Sequence, residues 1–183
     1  MVLISVFAVL VLLLYLLLCY VSFGITDMVS DTYYKLETVS RGKGNMFSIV
    51  MFIVGVAMMV CLLDSGEGVQ CLAFIGAAGL IIVSIAPNFK DIDTHTIHKA
   101  GAVISAIGTI SWCLGVNIYP TITLFLMFCI YCVICNLNAF FAKIFHMNNT
   151  KVEPHYLYWA EVLAFINVFI TYWILMYQNH DIA

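Results

Sequence analysis

Charged residues are scarce in this chain. Only 9% of its 183 residues are Asp, Glu, Lys or Arg, whereas soluble domains carry about 25%. Proline is also rare, with three residues, so little interrupts the apolar runs. This scarcity of charge excludes an ordinary soluble domain. It also leaves no basic cluster of the kind that binds nucleic acid, so no nucleic-acid partner is expected.

Apolar residues are correspondingly abundant in this chain. They make up 64% of the chain, and the mean hydropathy is +1.06. A membrane-spanning helix needs about 20 predominantly apolar residues. The sequence therefore predicts an all-α membrane protein, a six-transmembrane-helix bundle that forms a single integral membrane domain over residues 1–183. The predicted spans are 2–23, 46–63, 70–86, 98–117, 119–142 and 156–177.

The first span and the segment after it differ sharply in polarity. No Lys or Arg precedes residues 2–23, and the run exceeds the 7 to 15 residues usual in a signal peptide, so we expect a retained first helix. The polar segment that follows contains Asp31 and Lys35 at i,i+4 spacing, which favours a helix. Tyr33 and Tyr34 suit the headgroup zone of a bilayer. We predict a short interfacial helix between the first and second spans.

The basic residues predict an orientation. In this scheme all of them lie in or beside the first, third and fifth links between spans. Cytoplasmic links carry an excess of Lys and Arg, so these links are expected inside and both termini outside. The size and the retained first helix suit a bacterial or phage protein of the bacterial inner membrane. The basic residues are Lys35, Arg41, Lys43, Lys90, Lys99, Lys143 and Lys151.

Polar residues collect in a central stretch, residues 84–101, which we interpret as a loop. Pro87 cannot donate a main-chain hydrogen bond and should end the third span. The leading hypothesis is a non-enzymatic protein whose polar cytoplasmic rim binds a lipid headgroup or a membrane-protein partner. The candidate ligand-binding residues are Asp91, Asp93, His95, His98, Lys99 and Glu161.

Glu161 is the ionisable residue inside the last predicted span. Because a charge within the bilayer is costly, we expect its side chain to face the bundle and to find a partner. The candidate partners are His98, Lys99 and Asn138. Two alternatives remain open, that Glu161 extends to the inner interface or that it is protonated.

Two other functions remain open. The first is a membrane-embedded metal-dependent enzyme acting on lipid, with zinc or iron held by His98 and His155 and with Asp91, Asp93 or Glu161 nearby. No fixed metal-ligand spacing is present, and solvated interfacial residues are the alternative interpretation. The second is a small transporter or pore, although the charged residues do not continue through the bundle.

Small residues predict where two spans pack. Gly76 and Gly79 in the third span, with Gly101 and Gly108 in the fourth, have the spacing that lets membrane helices approach closely.

Two of the seven cysteines raise the question of a disulfide. Cys61 and Cys71 flank the predicted outer hairpin, residues 64–68, and whether they form a disulfide is left open by the sequence.

The central stretch resembles a known group of membrane proteins. Pro87, followed by Asp91 or Asp93 and then by His98, is similar to the pattern of the six-helix DUF998-like and Frag1/DRAM/Sfk1-type families. In those families the third helix tends to end in proline and the fourth tends to begin with histidine. Ala86 stands where they usually carry phenylalanine. The resemblance covers roughly 30 residues and implies a six-helix fold with little chemistry.

Overall fold

The computed structural model describes residues 1–88, 90, 92–144 and 154–180. In that part of the chain all regular secondary structure is helical, which confirms the all-α prediction. A 3₁₀ turn covers Val29–Asp31. The α-helices are α1 Val2–Phe23, α2 Thr32–Val39, α3 Asn45–Asp64, α4 Gln70–Ile85, α5 Ile92–Val116, α6 Ile118–Ile144 and α7 Tyr156–His180.

Five of these helices, α1, α3, α5, α6 and α7, are long and apolar enough to cross a membrane. The other apolar helix, α4, has 16 residues. At 1.5 Å per residue it is about 24 Å long, which is shorter than the roughly 30 Å hydrocarbon core of a bilayer. The helices coincide with the predicted spans to within three residues at every end except the start of α5.

The interpretation of residues 84–101 as a loop was wrong over its second half. α4 ends at Ile85, as Pro87 predicted, but α5 already begins at Ile92. The Thr94 hydroxyl donates a hydrogen bond to the Asn88 carbonyl and so joins the first turn of α5 to the residues that follow α4. A helix can continue past its apolar run because its main-chain groups bond to one another whatever the side chains. His95 and His98 therefore lie on a helix.

α4 packs between α3 and α5. A Cβ atom placed on Gly108 of α5 would lie 2.6 Å from the main-chain nitrogen of Gly76 in α4. One placed on Gly79 would lie 2.5 Å from the main-chain nitrogen of Ser105. Such backbone contact is open only to residues without a side chain. The prediction that these two helices pack closely is confirmed.

α1 contacts α3 and α7. The Trp173 Nε1–H of α7 donates a 2.8 Å hydrogen bond to Ser5 Oγ of α1. Towards the other end of α1, the buried Tyr15 hydroxyl is hydrogen-bonded to Thr32 Oγ1. The Thr32 hydroxyl in turn donates to the Val29 carbonyl at 2.6 Å. The first helix is therefore tied both to the last helix and to the segment that follows it.

Three chain segments meet at one end of the bundle, which we call the basic end: residues 24–44, the 86–91 link and the start of α7. The Tyr34 hydroxyl donates to Asn88 Oδ1 at 2.9 Å and accepts from the Lys90 main-chain N–H at 2.5 Å. The Tyr158 N–H donates to the Asp27 carbonyl at 3.1 Å. The 24–44 segment thus bridges the other two, as expected for links on one side of a bundle.

The opposite end holds the α3–α4 turn, where Gly66 and Gly68 adopt positive φ angles. The Trp112 Nε1–H of α5 donates to the Glu67 carbonyl at 3.0 Å and fixes this turn. Cys61 is buried and Cys71 is exposed, and both are free thiols. The possible disulfide between them is not formed.

Candidate functional site

An internal cavity of about 280 Å³ lies between α3, α4, α5 and α7. Most of its wall is apolar. Residues on α5 and α7 that face it include two pairs of alanines at i,i+4 spacing, Ala102 with Ala106 and Ala160 with Ala164. Facing pairs of small side chains leave space between two helices where larger side chains would fill it. Further apolar lining comes from Phe47, Met51, Leu80, Val83, Phe165 and Val168.

One end of the cavity is polar. There the lining consists of Ser30 and Val29 from the 3₁₀ turn, His98 from α5 and Glu161 from α7. The Val29 main-chain N–H donates a 2.6 Å hydrogen bond to Glu161 Oε2. The cavity is therefore amphipathic, with a carboxyl group and an imidazole at the basic end and a mostly apolar wall beyond it, which also includes Ser105 and Thr109 of α5.

The 3₁₀ turn covers this end because the chain reverses after α1. Gly24 ends α1 with φ 75°, a conformation that favours glycine. The Thr26 hydroxyl then donates to the Met28 carbonyl at 2.7 Å. Val29 and Ser30 are buried. The turn also leaves the Val29 N–H without an intrahelical acceptor, and Glu161 supplies one.

His98 is the most buried of the predicted site residues in the described part of the chain, with 6% of its surface exposed. Its Nδ1 lies 2.7 Å from the Ala86 carbonyl oxygen. That carbonyl follows the last residue of α4 and precedes Pro87, so no helical N–H reaches it. An Nδ1–H donor satisfies it, and the imidazole also fixes the start of α5 against the end of α4.

The structure brings together two of the predicted site residues, since His98 and Glu161 line the same cavity end. Lys99 is exposed and His95 is half-buried. Lys99 and Asn138 are both exposed, and neither is hydrogen-bonded to Glu161. The hydrogen bond to Glu161 comes from the Val29 main-chain N–H. Asp91 lies outside the described residues, and of Asp93 only the main chain is described.

His155, the second residue of the proposed metal pair, lies just before α7. Its Nδ1 is 3.5 Å from Asp27 Oδ1, and the Asp27 side chain is 84% exposed. Over residues 1–88, 90, 92–144 and 154–180, no three His, Cys, Asp or Glu side chains converge as metal ligands. The zinc or iron enzyme and the transporter both stay predictions.

Lining residues on α5 and α7 are exposed, so the cavity is not fully enclosed. Ala102 and Ala160 line it and are also exposed, and Leu157 beside them is 57% exposed. A second cavity of about 400 Å³ lies between α5, α6 and α7, and it shares Ala160 and Ala164 with the first. The two cavities therefore adjoin each other along α7.

Sequence reasoning missed the 3₁₀ turn and the alanine pairs. Val29 and Ser30 gave no signal, because the group that Val29 contributes is its main-chain N–H. The alanine pairs were visible as small residues at i,i+4 spacing, but that spacing is also typical of tightly packed membrane helices. Only the structure distinguishes the packed α4–α5 contact from the space between α5 and α7.

No protein-family model, curated protein or solved structure matches the chain. The resemblance based on Pro87, Asp91 or Asp93, and His98 therefore stays a prediction. The functional argument depends on the geometry of the cavity alone.

Proposed function

We propose that this chain is a six-span integral membrane protein that binds a lipid in the cavity between α3, α4, α5 and α7. The headgroup lies at the basic end, beside Glu161 and His98, and an acyl chain lies along the apolar wall. The observation that carries this proposal is the mostly apolar lining with Glu161 and His98 at one end, together with the exposed lining residues Ala102, Leu157 and Ala160 on α5 and α7. We place the entry of the ligand beside these exposed residues. A ligand that enters there comes from the bilayer.

The proposed membrane arrangement has α4 as the sixth span and both termini outside. α4 is short, but it is covered by α3 and α5, so its ends need not reach the headgroups. All seven basic residues lie in or beside the links at the basic end, which favours a cytoplasmic location for that end in a bacterial inner membrane. α2 then lies at the inner surface, with Leu36 buried and Lys35 exposed.

The chemistry of the wall supports a lipid over a water-soluble ligand. Ligand pockets are mostly apolar with a few polar groups that fix orientation. Here the carboxyl group of Glu161 and the imidazole of His98 lie at one end, most of the remaining lining is apolar, and some lining residues of α5 and α7 are exposed. A molecule with a polar head and an apolar chain matches both features.

Filling the cavity tests the proposal. Ala106 is half-buried and lines the cavity, whereas Ile107 beside it is 62% exposed. We expect native mass spectrometry of wild-type protein to record a bound lipid, Ala106→Phe to lose it, and Ile107→Phe to keep it. Ala164→Phe, on the opposing helix, should repeat the loss.

Two results would contradict lipid binding in this cavity. One is wild-type protein that carries no lipid when it is released from mild detergent. The other is Ala106→Phe and Ala164→Phe protein that retains as much lipid as Ile107→Phe protein. Thermal unfolding of each variant checks that the fold is kept, because a phenylalanine that fills empty space should not lower the melting temperature.

A further inference from the structure

We infer that the group recognised at the polar end of the cavity is an ammonium, so that the ligand is an amine-bearing amphiphile and not an anionic one. This inference rests on the proposed lipid-binding function and adds the charge of the headgroup. It is carried by the carboxyl group of Glu161, which lines the polar end of the cavity and forms no ion pair with a Lys, Arg or His side chain in the described part of the chain. The imidazole of His98, at the same end, is hydrogen-bonded through Nδ1 to the Ala86 carbonyl.

Glu161 has capacity for a further donor. Its Oε2 accepts from Val29 N–H, and over the described residues no second hydrogen bond or ion pair to the carboxyl group is found. A carboxylate offers about four acceptor positions. Because a buried charge is costly unless it is paired, a cation entering the cavity would be held by Glu161.

The surrounding charges point the same way. The 3₁₀ turn whose Val29 N–H binds Glu161 also carries the carboxyl group of Asp31. Two lysines of the basic end do not line the cavity: Lys90 Nζ lies 4.3 Å from the centre of the Tyr34 ring, and Lys99 is exposed. A phosphate or carboxylate headgroup in this cavity would meet the carboxyl group of Glu161, with no Lys or Arg side chain among the described lining residues.

The cavity is long enough for a short alkyl chain. Glu161 and Val168 both line it and are seven residues apart on α7, which corresponds to about 10 Å along the helix axis. This length suits one alkyl chain of octyl size. Octylamine is therefore a suitable probe, since its amine is protonated at pH 7 as a lysine side chain is.

The test compares three probes of equal chain length, octylamine, octanol and octanoate, by calorimetry on the full chain in a neutral detergent. We expect octylamine to bind more tightly than octanol and octanoate to bind most weakly. Glu161→Gln should weaken octylamine binding about 10- to 100-fold, the equivalent of one charge-assisted hydrogen bond. It should leave octanol binding within about threefold, since an uncharged head loses no such bond. Glu67→Gln, at the opposite end, should change neither.

The outcomes separate the two proposals. Equal binding of octylamine and octanol, unchanged in Glu161→Gln, overturns the ammonium inference and leaves the lipid-binding function standing. Absence of binding by all three probes, or binding that Ala106→Phe does not affect, overturns both. Tighter binding of octanoate overturns the inference as well, because it would require a basic site.

Discussion

The main chain of Val29 is joined to the side chain of Glu161 by a 2.6 Å hydrogen bond that links positions 132 residues apart. The donor belongs to the turn after the first long helix and the acceptor to the last helix. The same carboxyl group lines the cavity. Glu161 thus both closes the polar end of the bundle and presents a ligand group to its interior.

The first prediction separates these two roles. Glu161→Leu removes the acceptor and leaves the buried Val29 N–H unpaired, which should cost about 1–3 kcal/mol in the free energy of unfolding. Glu161→Gln keeps a carbonyl acceptor and should cost less than about 1 kcal/mol. Thermal unfolding in detergent measures the difference. Equal losses in the two variants would show that the Val29 contact contributes nothing to stability.

The second prediction concerns the α4–α5 contact. Gly108→Ala places a methyl group 2.6 Å from the Gly76 main-chain nitrogen, so overpacking should destabilise the protein by about 1–3 kcal/mol. Gly115 on the same helix has open space around it and is the matched control. Gly115→Ala should leave the melting temperature unchanged or slightly higher. If both variants melt alike, these helices do not pack as described.

The third prediction concerns the hydrogen bonds between Tyr34 of the 24–44 segment and the residues that precede α5. Tyr34→Phe removes the acceptor of the Lys90 N–H and the donor to Asn88 Oδ1. Loss of about 0.5–1.5 kcal/mol should speed hydrogen exchange at the Lys90 amide about 2- to 10-fold. The control is Tyr33→Phe, because the Tyr33 hydroxyl makes no recorded hydrogen bond within the described residues. Unaltered exchange in Tyr34→Phe would contradict this role.

The fourth prediction concerns the proposed orientation. Glu67, in the turn after α3, and Thr38, in α2 before α3, are both exposed. They lie beyond opposite ends of α3. Cys71, the exposed native thiol, is first replaced by serine. A label that cannot cross membranes should then react with Glu67→Cys in intact cells and with Thr38→Cys only after lysis. The reverse pattern would invert the topology.

The helix positions could be predicted from the sequence because one strong physical requirement controls them. Uninterrupted apolar runs must form helices in a membrane, where each main-chain group needs an internal partner. Pro87 and the α3–α4 glycines then set the ends of α4. The start of α5 was missed because residues 93–96 are polar, and polarity alone does not distinguish a loop from a helix that extends past the bilayer core.

The candidate site was only half predictable. The cost of an ionisable group in a span indicated that Glu161 faces inward, and it lines the cavity together with His98. Its partner was not predictable, since a main-chain N–H carries no residue-specific signal. The cavity itself depends on how Ala102, Ala106 and the α7 alanines face one another, which composition does not record.

The contacts of the 3₁₀ turn also set an order of events during synthesis. At about 5–20 residues per second, Glu161 is translated roughly 7 to 26 s after Val29. Trp173, the hydrogen-bond donor to Ser5, lies 168 residues further along the chain than Ser5, so the delay for this pair is longer still. The first helix must therefore remain in the bilayer for many seconds without the partner that completes its packing. We expect nascent chains that stop before α7 to be recognised by membrane proteases as unfinished.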